Sequence, residues 1–254
     1  MKSVTVARSP TVQRAAFLLT AGGGARLVAE NDGERLRCAS LLKPLLFWAA
    51  AHLRPFSGQT ERWTELARDG VRVSANDPTT QVWELCGGPR LLGWLEERTR
   101  IRWSVEPGGE RSFGRVLVAA SDVAQAYAAL ASADDECAAR LVDWMRQVPA
   151  DQTFGVRETW GDRLGLPEAQ VAVKCGWFMD ADEHRIRTHA AAIGQIPGGC
   201  VGTVVLSALP VDGATRATYA THYRAGREVL TIHEALAGST LRTATSQALS
   251  DLGL

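Results

Sequence analysis

Strand-type patterns lie at both ends of this chain, with a block of helical periodicity between them. At one end, residues 15–20 and 25–30 read as two strands of a hairpin, turned by the triplet Gly22-Gly23-Gly24. At the other, "AQVAVKCGWFM", "HRIRTHAAAIG" and "CVGTVVLSAL" are β-branched or alternating runs. Between them the spacing predicts helices over 40–53, 60–69, 89–100, 121–132 and 135–147, with one more entered from the turn in "SANDPTTQVWELCGG" and stopping at Gly87-Gly88. Thr60 stands as a candidate cap, Pro89 fits a first helical position, and Asp122 and Asp134–Asp135 suit helix starts. Residues 40–53 are apolar on most faces, so that helix is expected to be central and buried. A long helix is expected over 215–237, with Tyr219, His222, Tyr223, Gly226, Val229, Leu230 and His233 on its inner face, and a short helical tail over 239–254. Strands that bracket helices imply an α+β protein in which one five-stranded antiparallel sheet takes strands from both chain ends. The expected division is a single domain, residues 1–254, with an α/β lobe of 12–38 plus 150–254 and an inserted helical lobe of 39–149. A cleft between the lobes is the natural place for a site.

Composition excludes several classes of partner. Lys+Arg and Asp+Glu are 28 each, so no basic or acidic surface argues for nucleic acid. No apolar run approaches the roughly 20 residues that span a bilayer. Lys2, Arg8 and Arg14 ahead of "AAFLLTAGGGA" also fit a short export signal. The hairpin is preferred, because cleavage there would delete a strand that the sheet needs, and the expected compartment is the cytoplasm. Five cysteines, Cys38, Cys86, Cys137, Cys175 and Cys200, show no metal-ligand spacing and suit free thiols. The five histidines show none either, and no metal or cofactor is expected.

Of the 28 basic residues only Lys2, Lys43 and Lys174 are lysine. Arginine stays protonated in proteins, whereas a desolvated lysine can act as a base. Lys43 belongs to Ser40-Leu41-Leu42-Lys43, the only Ser-x-x-Lys in the chain. Residues three apart share a helix face, so hydroxyl and amine can meet. Pro44 forces the helix to begin near Ser40, which puts the hydroxyl at the positive end of the helix. A serine there, with a base at hand, is a candidate nucleophile; the plain alternative is a capping serine and a solvated lysine. Ser74-Ala75-Asn76, the only Ser-x-Asn, lies in a turn between helices, where such a pair can relay a proton and hold a substrate amide. Lys174-Cys175-Gly176-Trp177 ends a strand: Lys174 offers charge to an anion, Gly176 a close backbone approach, and the Trp177 N–H an oxyanion-hole donor beside that of Ser40.

Together, in this order, the three motifs resemble those of the class A β-lactamases and penicillin-binding proteins: Ser-x-x-Lys, Ser-x-Asn, Lys-Thr/Ser-Gly. "DQTFGV" with "VAVKCGW" is most similar to an actinobacterial-type serine-hydrolase subgroup with Lys-x-Gly-Trp. The resemblance implies the β-lactamase/transpeptidase-like fold, with Ser40 as nucleophile, Lys43 as general base and Ser74 as proton relay. It further implies that Asn76, Lys174, Cys175, Gly176 and Trp177 bind a small-molecule substrate through a reactive amide, lactam or ester carbonyl. Two positions depart from the pattern. Cys175 replaces the family's hydroxyl residue, and "RWSVEPGGERSFGR" lacks the setting of the glutamate that activates deacylating water. Glu106 and Glu110 are the candidates for that base, each also readable as a solvated loop carboxylate, so deacylation is expected to be weak. The alternatives are a cytoplasmic transacylase, amidase or esterase of a biosynthetic pathway, and a non-catalytic ligand-binding homologue. Cys38 and Cys175 flank two motifs and would approach each other if the lobes meet.

Overall fold

The computed structural model describes residues 9–180, 183–224 and 229–254. Its centre is a five-stranded antiparallel sheet in the order β2-β1-β8-β7-β6. β1 (Thr11–Thr20) and β2 (Ala25–Glu30) form the expected hairpin, while β6 (Ala172–Asp180), β7 (Arg185–Ile196) and β8 (Gly199–Pro210) form a meander. β1 pairs with β8 over its whole length, from Thr11↔Ala208 to Thr20↔Gly199, and this pairing joins the two ends of the chain. The fold is thus α+β, with one sheet built from both ends of the chain. The segment weighed as an export signal is an interior strand of this sheet, held between β2 and β8.

Between the two groups of strands run α1 (Lys43–His52), α2 (Thr60–Arg72), α3 (Asn76–Cys86), α4 (Gly88–Thr99), α5 (Ala120–Ser132) and α6 (Glu136–Arg146). α1 is buried from Lys43 to Ala50, as its all-round apolar sequence requires, and α2 to α6 pack around it. Thr60 is the first residue of α2 rather than its cap, and Gln59 precedes it without a capping side chain. Asp135 caps α6 by accepting from the Ala138 N–H at 2.7 Å, and its other oxygen takes the Trp48 indole N–H at 2.8 Å. A small second sheet, β3 (Leu36–Arg37), β5 (Val116–Val118) and β4 (Ser104–Val105), ties the start of this region to the loop after α4.

The two faces of the large sheet have separate cores, as strand alternation dictates. Ala15, Phe17, Ala172, Ala191, Val204 and Leu206 face α5 and α6. Ala16, Val173, Cys175, Ala190 and Val205 face α7 (Val156–Leu164) and the C-terminal helix α10 (Ser239–Asp251). The continuous helix expected over 215–237 is absent. α8 (Gly213–Arg224) and α9 (Leu230–His233) are separate helices, and a π-helical segment, Glu234–Gly238, leads into α10. Gly226, read as an inner-face position of that helix, lies outside the described residues.

Candidate active site

Ser40 lies on a tight turn, Ala39–Leu42, that runs straight into α1. The turn is fixed on several sides. The Cys38 N–H donates to Val116 O at 2.8 Å, and the Tyr127 hydroxyl donates to Leu41 O at 2.8 Å. His189 adds a third anchor. Its Nδ1 accepts the Ser207 N–H at 3.1 Å, so the proton sits on Nε2, which donates to Arg37 O at 3.0 Å. Burial and the nearby Arg187 push the His189 pKa down to about 3, so the ring is neutral. Ala39, immediately before the serine, has φ 51°, in the left-handed region that a side chain disfavours.

The turn rests on β6, the edge strand of the sheet. A Cβ added at Gly176 would lie 2.7 Å from Ser40 N and 3.0 Å from Ala39 Cβ. Only glycine lets the serine backbone settle there, which gives the Lys-x-Gly sequence its physical reason. Lys174, two residues earlier on the same face, is buried, and its ammonium has no hydrogen-bond partner among the described residues. Burial lowers its pKa to about 8. An anionic group entering the crevice would supply the missing partner.

Lys43 is the first residue of α1 and is fully buried. Its ammonium reaches across to the α2–α3 turn, donating to Asn76 Oδ1 at 2.9 Å, Ala75 O at 3.0 Å, Ser74 Oγ at 3.4 Å and Ser74 O. Ser74 holds this turn at φ 59°. Burial, and secondly the charge of Lys174, lower the Lys43 pKa to about 6. The amine is therefore largely free at neutral pH, as a general base must be. The half-buried Ser40 hydroxyl has no hydrogen-bond partner among the described residues, so no direct bond joins it to Lys43.

The structure thus draws Ser40, Lys43, Ser74, Asn76, Lys174 and Gly176 to one place. The side chains of Cys175 and Trp177, two positions read as substrate-binding, lie apart from it. Strand alternation turns both to the opposite face. The Cys175 thiol points to Thr153 O at 3.7 Å, and the Trp177 ring meets Phe154 edge-on at 5.8 Å. Burial raises the Cys175 pKa to about 12, leaving an inert thiol. Cys38 lies in the other core, and both thiols are free.

Neither glutamate candidate contacts the Ser40–Lys43 pair. Glu106 pairs with Arg37 at 2.8 Å and Arg115 at 2.8 Å, and their hydrogen bonds lower its pKa. The carboxylate of the exposed Glu110 accepts the Gly108 N–H, at 3.3 Å, within its own turn. What this loop offers Lys43 is a phenyl ring: Nζ stands 5.6 Å from the centroid of the nearly buried Phe113. Neither the Phe113 contact nor the His189 clamp had a sequence signal; each is a lone residue outside any motif.

No protein-family model and no curated protein sequence matches this chain. Solved structures do match it in fold. A β-lactamase from Burkholderia ambifaria superposes with a TM-score of 0.63 at 15% identity, covering 97% of this chain and 95% of that one. PBP-A gives a TM-score of 0.61 at 13% identity, covering 98% and 93%. A reconstructed ancestral class A β-lactamase gives 0.53 at 21% identity, covering 79% and 87%. The chain has the fold that class A β-lactamases share with PBP-A. These likenesses show the fold and leave the Lys-x-Gly-Trp subgroup as an expectation.

Proposed function

We propose that the chain is an active-site serine acyl-transfer enzyme of the β-lactamase and penicillin-binding type. The observation that carries this reading is Lys43, a buried amine with a pKa near 6, tied to Ser74 and Asn76 beside Ser40. Ser40 Oγ attacks an amide, lactam or ester carbonyl as Lys43 takes its proton. The C–N or C–O bond then breaks, and the departing nitrogen or oxygen receives a proton through Ser74. The product is an acyl ester on Ser40. Asn76 orients Lys43 and the donor's amide, Lys174 holds an anionic group, and the N–H groups of Ser40 and Trp177 face the developing oxyanion.

The loop that passes Lys43 presents the Phe113 ring to it, and Glu106 is held by two arginines. That favours slow hydrolysis of the acyl-enzyme, or its transfer to an acceptor other than water, as in a transacylase. Intact-mass spectrometry after incubation with penicillins, cephalosporins and activated esters tests the reading. A long-lived adduct is expected on the native chain and none on Ser40→Ala. An adduct that survives Ser40→Ala removes Ser40 as nucleophile. Failure of every donor to label folded protein favours a ligand-binding homologue.

A further inference from the structure

A second cavity lies between the C-terminal end of β6 and α8. Phe178 and Met179 on the strand and Arg216, Tyr219, Ala220 and Tyr223 on α8 border a space of about 600 Å³, within the range of small-molecule sites. The four α8 residues fall at i, i+3, i+4 and i+7, so one stripe of the helix forms the wall. Neither Ser40 nor any of the residues gathered around it borders this space. Tyr219 packs edge-on against the His233 ring at 5.6 Å, and His233 Nδ1 meets Thr188 Oγ1 at 2.8 Å. Thr188 stands opposite Trp177 on the neighbouring strand, so these contacts belong to the sheet face turned away from Ser40. The cavity is therefore separate from the serine crevice.

Its inner wall is aromatic and held in place. Tyr219 is buried, and its hydroxyl stands 3.4 Å from His233 Nε2. Tyr223 lies parallel to Tyr219 at 6.4 Å and is 71% exposed, an aromatic face left to water. Phe178 is steadied by the guanidinium groups of Arg37 and Arg187, 6.0 and 5.8 Å from its centroid. Charge gives the sign of the occupant. α8 carries Arg216 and Arg224 and no carboxylate of its own. The Arg216 guanidinium makes no hydrogen bond or ion pair among the described residues, and its Nε is withdrawn from solvent without a partner. Aromatic walls suit an aryl group, and a planar guanidinium takes a carboxylate through two parallel hydrogen bonds. We propose that this cavity is a second ligand site, independent of Ser40, that binds a small aryl carboxylate with its ring against the two tyrosines and its carboxylate on Arg216.

The test is a saturation-transfer NMR titration with 2-naphthoate, 2-naphthamide, which lacks the charge, and cyclohexanecarboxylate, which lacks the aromatic ring. On the native chain 2-naphthoate should bind saturably, about tenfold more tightly than either of the others. Arg216→Gln should weaken 2-naphthoate to the level of 2-naphthamide and leave 2-naphthamide unchanged. Ala220→Trp, which fills the space, should abolish binding of all three. Ser40→Ala and Lys174→Met should leave the 2-naphthoate affinity as it is. Absence of saturable 2-naphthoate binding overturns the proposal, as do equal affinities for the three probes or binding that survives Ala220→Trp in a variant with native circular dichroism. Binding lost in Lys174→Met would put the anion in the serine crevice and overturn it too. So would a dimer, seen by sedimentation, that Tyr223→Arg dissociates, because a second copy would then cover this face. No probe here reacts with Ser40, so the outcome stands whether or not the acyl-transfer reading holds.

Discussion

Lys43 sets the chemistry at the scale of single residues. Below pH about 6 it carries a proton and cannot take one from Ser40; above that it is free to do so. Acylation by an activated ester should therefore rise with pH through about 6 and level off. The charge of Lys174 contributes to this low value, so Lys174→Met should move the rising limb to higher pH as well as weaken anionic donors. A limb that stays in place would mean that burial alone tunes Lys43. Both lysines were legible in the sequence, because a chain that otherwise uses arginine keeps lysine at two motif positions. The Lys174 motif divides its side chains between the two sheet faces for a reason legible in advance. Neighbours on a strand point to opposite faces, so Lys174 and Gly176 could share the crevice only if Cys175 and Trp177 left it. His189 was not legible, since its role comes from two partners far away in sequence, Arg37 and Ser207.

Among the elements, the loop between α4 and β5 is the one that brings Phe113 to Lys43. It is pinned by the indole of Trp83, which donates to Glu110 O at 3.1 Å, and by Glu106 between its two arginines. Trp83→Phe should cost about 1 kcal/mol through the lost hydrogen bond. Amide exchange in residues 106–115 should quicken, and the lifetime of the Ser40 adduct should shorten as water gains access. Unchanged exchange would show that the arginines alone hold the loop. The long strands and helices could be read from periodicity, but the two- and three-residue strands β3, β4 and β5 are too short to show a period. The stretch 215–237 failed in the opposite way. Apolar residues continue at helical steps across it, so periodicity reads as one helix what the structure divides into α8 and α9.

For the molecule as a whole, several buried groups push stability in one direction with pH. His189 and His233 are each lowered to about 3 by burial, Lys43 to about 6 and Lys174 to about 8. For each, the unfolded chain binds the proton more readily, so stability rises with pH. The lysine contributions grow as pH climbs from each folded value towards the ordinary lysine range. The histidine contributions are complete above about 6.5 and are lost as pH falls towards 3. The urea midpoint should fall steadily from pH 8 to pH 4, and a flat profile would contradict the burial of these groups. The fold class followed from strands at both chain ends, because such strands can bury their apolar faces only by meeting. Which sheet face each helix would cover depended on packing that no local pattern records.

Lys43 and Lys174 are also two of only three lysines, and both are shut away from solvent. Formaldehyde with a mild reductant methylates accessible amines and ignores guanidinium groups. The folded protein should leave these two unmodified, while the urea-unfolded chain should gain two further dimethyl increments in mass. A single spectrum would then count intact and opened molecules side by side, with no need for a substrate.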